Sequence, residues 1–364
     1  MRYRGYRGYG PYRGRSRGST ALKIVIVLLA VVLLAVVGVY FVVDRFGVYS
    51  SDGFRLELPF RTGEASAPPQ DSAPVVVVST DPEPTPSPTP EPEEPLHAVM
   101  LPRSALSDGT AAEQVAAAGG NAAVFDMKAD DGTLGYVSQL EIAQEGQSTA
   151  ADSALNGAIR TLNASELYTV ARVSCFRDNT VPYHVPELGV KTNRNYNWRD
   201  NGDYRWLSPT SETARQYVTG VCLELAELGF DEILLCNSGY PVDGYLSSIR
   251  VGEAYDAGQF QSVITAFYDQ VGQALQAQYP EVRLSIATTG AVLESGSDAT
   301  SGQSLSGLAA RAQRVWADLG ETTREQALAA LSAAGYADPA AALVVQTDQA
   351  GAAGESWARS MPRG

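Results

Sequence analysis

"SETARQYVTGVCLELAELGFDEILLCNSGYP", Ser211 to Pro241, carries a helix, its stop and a buried strand in one run. Ser211 is a residue type that caps helix N-termini, the apolar positions after it recur at helical spacing, and Gly229 supplies the stop. The strand "EILLCN" that follows is apolar on both faces, as a strand of a parallel sheet must be when helices cover it. Its exit offers Cys236, Asn237 and Ser238 where an enzyme barrel carries its working side chains.

Working outward, the same unit recurs. "HAVMLP" (97–102) reads as a strand, "TAAEQVAAAGG" as a helix ending on glycine, and "AAVFDMK" (122–128) as a second strand. "TAADSALNGAIRTLNA" is helical and "YTVARVSCF" (168–176) is the third strand, with "EILLCN" the fourth. A long helix over about 254–279 leads to "RLSIATTG", the fifth, and "AALVVQTD" (341–348) closes the series, with a weaker candidate at "RVWADL". Repeated βα units over roughly 250 residues predict an α/β fold, a (β/α)8 TIM-like barrel that is complete or short of strands. An open doubly wound sheet is the alternative, but no GxGxxG follows the first strand, so a dinucleotide cofactor has no support.

The chain outside this region is of another character. The first twenty of its 364 residues carry six arginines and no acid, and Ile24 to Val43, "IVIVLLAVVLLAVVGVYFVV", is unbroken apolar sequence. About 20 such residues cover a bilayer core, so a single transmembrane helix is expected over 22–43, preceding the barrel domain. Arginine before the run and Asp44 after it predict a single-pass cell-membrane protein, with a cytoplasmic tail (1–21) and an extracytoplasmic C-terminal domain. The Arg/Tyr/Gly tail offers a surface for RNA or anionic lipid, the commoner alternative being a topology signal that rests on the inner leaflet. Residues 44–65 form a juxtamembrane segment whose "FRLELPF" is either a strand or a wrap. Ten of the twenty prolines fall between Pro68 and Pro95, which makes 66–95 an extended linker. The folded domain then spans 96–364. Lys plus Arg number 27 against 41 Asp plus Glu, and a net charge of −14 argues against nucleic acid as a partner. With two histidines and no CxxC, no metal site is expected. If Cys175 and Cys236 end neighbouring strands they could form a disulfide, and the odd count leaves at least one thiol unpaired within the chain, Cys222 in that case.

Candidate chemistry gathers at strand ends. Alternation aims Asp126 and Lys128 the same way on the second strand, and Asp130, Asp131 and Gly132 make its exit turn. Arg172 lies on the third strand and Asp178 at its mouth. The long aromatic loop beyond brings Trp198, Arg199, Asp200 and Trp206, and aromatic faces beside Arg and Asp suit sugar rings and their hydroxyls. Cys236 with His184 as base is a further, less common arrangement; a buried thiol is usually a small hydrophobe.

"NAAVFDMKADDGTLGYVS", "ARVSCFRD", "ELGVKTNRNYNWRD" and "ELAELGFDEILL…YPVDG" resemble, in order, blocks of a bacterial family of glycoside hydrolase-like (β/α)8 barrels that are secreted or membrane-anchored. The resemblance covers residues 96 to about 290. It implies a polysaccharide or cell-wall glycan as partner and substrate class. The family ends its fourth strand in a pattern like F-D-Y-x-R-F-P, where this chain has Leu235 to Pro241, so Cys236 stands at the acid. An aspartate of the fifth strand corresponds to Ala287. Glycoside hydrolysis ordinarily uses two carboxyl groups across the scissile bond, so Asp126 and Asp178 are the catalytic candidates, with Lys128, Asp131, Arg172, Trp198, Arg199, Asp200 and Trp206 binding substrate. A glycan-binding or scaffolding module without turnover is the alternative reading.

Overall fold

The computed structural model describes residues 94–359, together with the backbone of a two-stranded antiparallel ribbon, Gly47–Ser50 against Gly53–Leu56. The ribbon belongs to the first of two units into which the chain divides between residues 87 and 88, and it shows that the start of "FRLELPF" is strand.

The second unit is a closed barrel of eight parallel strands. In chain order they are β1 (His97–Leu101), β2 (Ala122–Lys128), β3 (Tyr168–Ser174), β4 (Glu232–Cys236), β5 (Arg283–Thr289), β6 (Arg314–Asp318), β7 (Leu343–Thr347) and β8 (Trp357–Arg359). Each pairs with the next, and β8 closes the ring by pairing with both β7 and β1. The barrel is therefore complete; neither the open sheet nor a barrel short of strands describes it. The weak candidate "RVWADL" is β6. β8 escapes sequence reading because three residues carry no measurable period, and its conformation is imposed by the strands on either side.

The longer outer helices are α1 (Ala111–Ala117), α2 (Leu155–Asn163), α3 (Glu212–Glu227), α4 (Phe260–Gln278) and α5 (Arg324–Ala333). Ser211 caps α3 by accepting from the amide of Ala214, and Gly229, at φ +91°, turns the chain into β4 in a backbone region that other residues enter at a cost. Outward-facing strand residues such as Phe125, Val173 and Ile233 pack with the helices in one continuous core. Inward-facing residues, among them Val124, Val170, Leu234, Trp316 and Val344, form a second core inside the ring.

At the N-terminal end of the ring, a fully buried carboxylate organises four strands. Glu232 on β4 accepts from Tyr168 Oη (2.9 Å), Ser285 Oγ (2.6 Å), Trp316 Nε1 (2.9 Å) and Arg314 NH1 (2.6 Å). Such a charge is tolerated inside a barrel only because every lone-pair direction is met.

Two expectations are corrected here. Among the described residues no helix is long and apolar enough to cross a membrane, and the apolar run at 22–43 lies outside the described residues. The transmembrane helix, the single-pass topology, the membrane and anionic-lipid partners and the cell-membrane location are accordingly not carried into the function. The disulfide is also absent: Cys175, Cys222 and Cys236 are free thiols. Cys175 and Cys236 are backbone neighbours, with N–H to carbonyl at 2.8 Å. Cys175 belongs to the core outside the ring, whereas Cys236 packs against the core inside it.

Candidate functional site

The site is built from the C-terminal ends of the strands. Asp126 is the last inward residue of β2, and its Oδ1 accepts from Arg172 NH1 of β3 at 2.7 Å, while its carbonyl accepts from Arg103 Nε at 2.6 Å. Beyond Asp126 the register with β3 shifts, so that Lys128 sits beside the outward-facing Val173. One inserted residue reverses the facing of everything after it. Asp126 and Lys128 therefore do not share a face, as simple alternation would have it. Lys128 is fully buried between ring and helices, with its Nζ 2.8 Å from Asp178 Oδ2, 2.8 Å from the Ser174 carbonyl and 5.9 Å from the centre of the Tyr217 ring on α3.

From Asp126 a chain of alternating charges runs outward. Arg172 NH2 bonds Asp130 Oδ1 (2.7 Å), Arg177 NH1 bonds Asp130 Oδ2 (2.9 Å), and Arg177 Nε bonds Asp200 Oδ2 (2.7 Å). Asn237, in the left-handed region at φ +46°, adds an amide N–H to Asp130 Oδ1 at 3.0 Å. Burial by itself would raise the Asp130 pKa, but Arg172 and Arg177 outweigh it and hold the carboxyl below its ordinary range. Asp200 is likewise held low against the effect of burial, by Arg177 and by the Trp206 indole N–H at 3.0 Å. Both are thus carboxylates at neutral pH and act as fixed anchors. The Arg177 guanidinium lies 4.4 Å from the centre of the Tyr204 ring, which ties the long loop after β3 to the rim.

The mouth itself is a hollow of about 460 Å³, with Met100, Val124 and Trp316 beneath and Arg172, Cys236, Asp318, Asp348 and Arg359 around it. Asp318 ends β6 two residues beyond the inward Trp316, and Asp348 follows β7 two residues beyond Gln346, so alternation delivers both to the opening. Around the ring β6 stands opposite β2. Strands ~4.8 Å apart and tilted ~36° make an eight-stranded ring roughly 15 Å across, so Asp318 and Asp126 rise from opposing walls.

Cys236 lies against this hollow, where burial pushes its thiol up to about 11 in spite of Arg172 nearby. At neutral pH it is an uncharged thiol, and a poor nucleophile. Labelling by iodoacetamide, followed peptide by peptide in the mass spectrometer, should make Cys236 titrate near pH 11. A midpoint below the ordinary value of about 8.5 would mean an activated thiolate and reverse this assignment.

The other residues expected from sequence have these places. Asp178 is fully buried, paired with Lys128, and its Oδ1 accepts the backbone N–H of Thr180 (3.0 Å) and Val181 (2.8 Å). Gly132, at φ +89°, passes so close that a Cβ would lie 2.0 Å from Asp178 Oδ1. Asp131 caps its own turn through Thr133, and its carbonyl receives Asn179 and Thr180. Trp198 and Trp206 are buried, the first donating to the Tyr245 carbonyl at 3.1 Å, so their rings pack the loop and present no face to a ligand. Arg199 is on the surface, paired with Asp203 at 2.6 Å. Exposed rings in this region are Tyr183, Tyr196 and Tyr245. Among the described residues no group of three His, Cys, Asp or Glu side chains is disposed to hold a metal. Asp318, Asp348 and Arg359 were not singled out from sequence; Asp318 ends a strand that reads weakly, and Arg359 belongs to the strand that does not read at all.

A family model described as "Putative glycosyl hydrolase domain" matches residues 109–316. Among solved structures the chain is similar to a hypothetical protein from Ruminiclostridium thermocellum, at 26% identity and TM-score 0.44, over 52% of this chain and 96% of that one. It is similar also to the α-galactosidase from Lactobacillus brevis, at 12% identity and TM-score 0.46, over 74% of this chain and 38% of that one. A third is the GH20 exo β-N-acetylglucosaminidase from Vibrio harveyi, at 12% identity and TM-score 0.47, over 70% of this chain and 42% of that one. The chain thus spans less than half the length of these two glycosidases. No curated protein matches it.

Proposed function

The chain belongs to this glycosyl hydrolase domain family, and from that premise we propose that its barrel mouth binds a glycan. The observation that carries the reading is the composition of the hollow: Arg172 and Arg359 offer donors, Asp318 and Asp348 offer acceptors, and Trp316 offers an apolar surface. A sugar ring has that same mixture, hydroxyls that both donate and accept around patches of C–H, and a few well-placed polar groups on an apolar floor fix its orientation. Asp126, Arg172 and Asp130 serve as the stiff wall against which the sugar is placed. Lys128 and Asp178 leave the list of contacts and hold the loop instead.

The test is calorimetric titration of the full chain with cello-, malto- and N-acetylchito-oligosaccharides. Asp318→Ala and Asp348→Ala should each weaken binding about tenfold or more, since a hydrogen bond to a charged group contributes roughly 1.5–3 kcal/mol. Unchanged affinity in both variants would remove the mouth from consideration.

A further inference from the structure

A second and larger cleft, about 670 Å³, opens between the long loop after β3 and the loop after β4. Both loops leave the C-terminal ends of adjacent strands, so the cleft and the mouth share one face of the barrel. Its walls are joined by backbone bonds from Arg250 N–H to the Lys191 carbonyl (2.8 Å) and from Asn193 N–H to the Ser248 carbonyl (3.0 Å). Thr210 fastens the inner end, with its Oγ1 2.6 Å from Tyr240 Oη and 3.1 Å from the Ala254 carbonyl. The cleft is therefore formed before any ligand arrives, which spares the ligand the cost of ordering two loops.

Its chemistry is that of the mouth without the depth. Tyr255 supplies an aromatic surface, braced edge-on by Tyr240 and Phe260 at centroid distances of 5.7 and 4.8 Å. Glu187, Lys191, Arg250 and Glu253 stand around it, two positive and two negative. Lys191 is already engaged by the Pro186 carbonyl and Asn197, so the carboxylates have the larger share of free bonding capacity. Asn195, which also lines the cleft, accepts from Arg250 at 3.1 Å and is followed by Tyr196, whose side of the loop is open to solvent at 72% exposure. An anionic ligand would meet Glu187 and Glu253. A neutral polyol can donate hydroxyls to them, accept from Arg250 and lay its C–H face on tyrosine.

We propose that this cleft is a second glycan subsite, taking uncharged sugar units of the same chain whose other units occupy the mouth. The inference rests on the mouth being a glycan site and extends it: the ligand class is a neutral polysaccharide that spans both hollows.

Matched pairs of two and six units test it, with cellobiose and cellohexaose, maltose and maltohexaose, and N,N′-diacetylchitobiose and N-acetylchitohexaose titrated into the full chain. In the series that binds, the hexamer should bind at least tenfold more tightly than the dimer, and hexagalacturonate should gain nothing from its length. Arg250→Ala with Glu253→Ala, both on the exposed rim, should bring the hexamer down to the dimer and leave the dimer unchanged; Asp318→Ala should weaken both. Equal affinity of dimer and hexamer, or an equal loss of both in the rim variant, overturns the second subsite and leaves the mouth standing. Binding by none of the three series overturns the mouth and the subsite together.

Discussion

Lys128→Ala is expected to lower the stability of the barrel by about 3–5 kcal/mol, the usual consequence of removing one partner of a buried ion pair. Both side chains of the pair are at 0% exposure and their charged atoms are 2.8 Å apart, so the variant leaves Asp178 with a charge that solvent cannot reach. The Ser174 carbonyl loses its donor as well. Urea unfolding should show a lower midpoint with an unchanged slope, and the melting temperature should fall by roughly 10 °C. The companion double variant Lys128→Met with Asp178→Asn should recover much of the loss, because no buried charge is left and the amide oxygen still accepts from Thr180 and Val181. A loss under about 1 kcal/mol in Lys128→Ala would mean that water or a rearranged donor reaches Asp178, contrary to the packing described. Function should suffer too: Asp178 holds the first turn of the long loop through Thr180 and Val181, and that loop carries Arg177's partner Asp200 and one wall of the second cleft.

Glu232→Ala should be of similar size, about 3–5 kcal/mol, for a related reason. Glu232 is fully buried and receives four side chains from β3, β5 and β6. Removing it takes the carboxylate away from Arg314 and withdraws the acceptor from Tyr168, Ser285 and Trp316. Glu232→Gln should cost less, because its amide oxygen still accepts, although its NH2 group now faces donors. Trp316 connects this end of the ring to the mouth: its Nε1 is held by Glu232 and its body lines the hollow. Glycan affinity in Glu232→Gln should therefore fall with little loss of fold. The measurement is calorimetric titration beside thermal unfolding; a destabilised variant with unaltered affinity would separate the floor from the mouth.

What sequence shows of this site follows from how local each feature is. Asp126 and Arg172 are found by reading strand ends, because alternation through β2 and β3 is regular up to those residues. Past Asp126 the register shift overrides alternation, and Lys128 is carried to the opposite face. Trp198 and Trp206 have the composition of a sugar platform, yet composition does not say which way a ring is turned, and both are covered by the folding of their own loop. Asp348 directly follows a strand that reads clearly, so its signal was present; Arg359 had none, because β8 is strand only by virtue of β7 and β1.

By itself the sequence determined the succession of βα units, the Ser211 cap and the Gly229 stop, since each depends on side chains and backbone preferences within a few residues. Closure of the ring, the bulge that turns Lys128 away, the burial of Asp178 and the meeting of Arg172, Asp318, Asp348 and Arg359 around one hollow were decided only in three dimensions. These depend on contacts between segments tens to hundreds of residues apart, whose free energies exist only once the barrel has closed and excluded water.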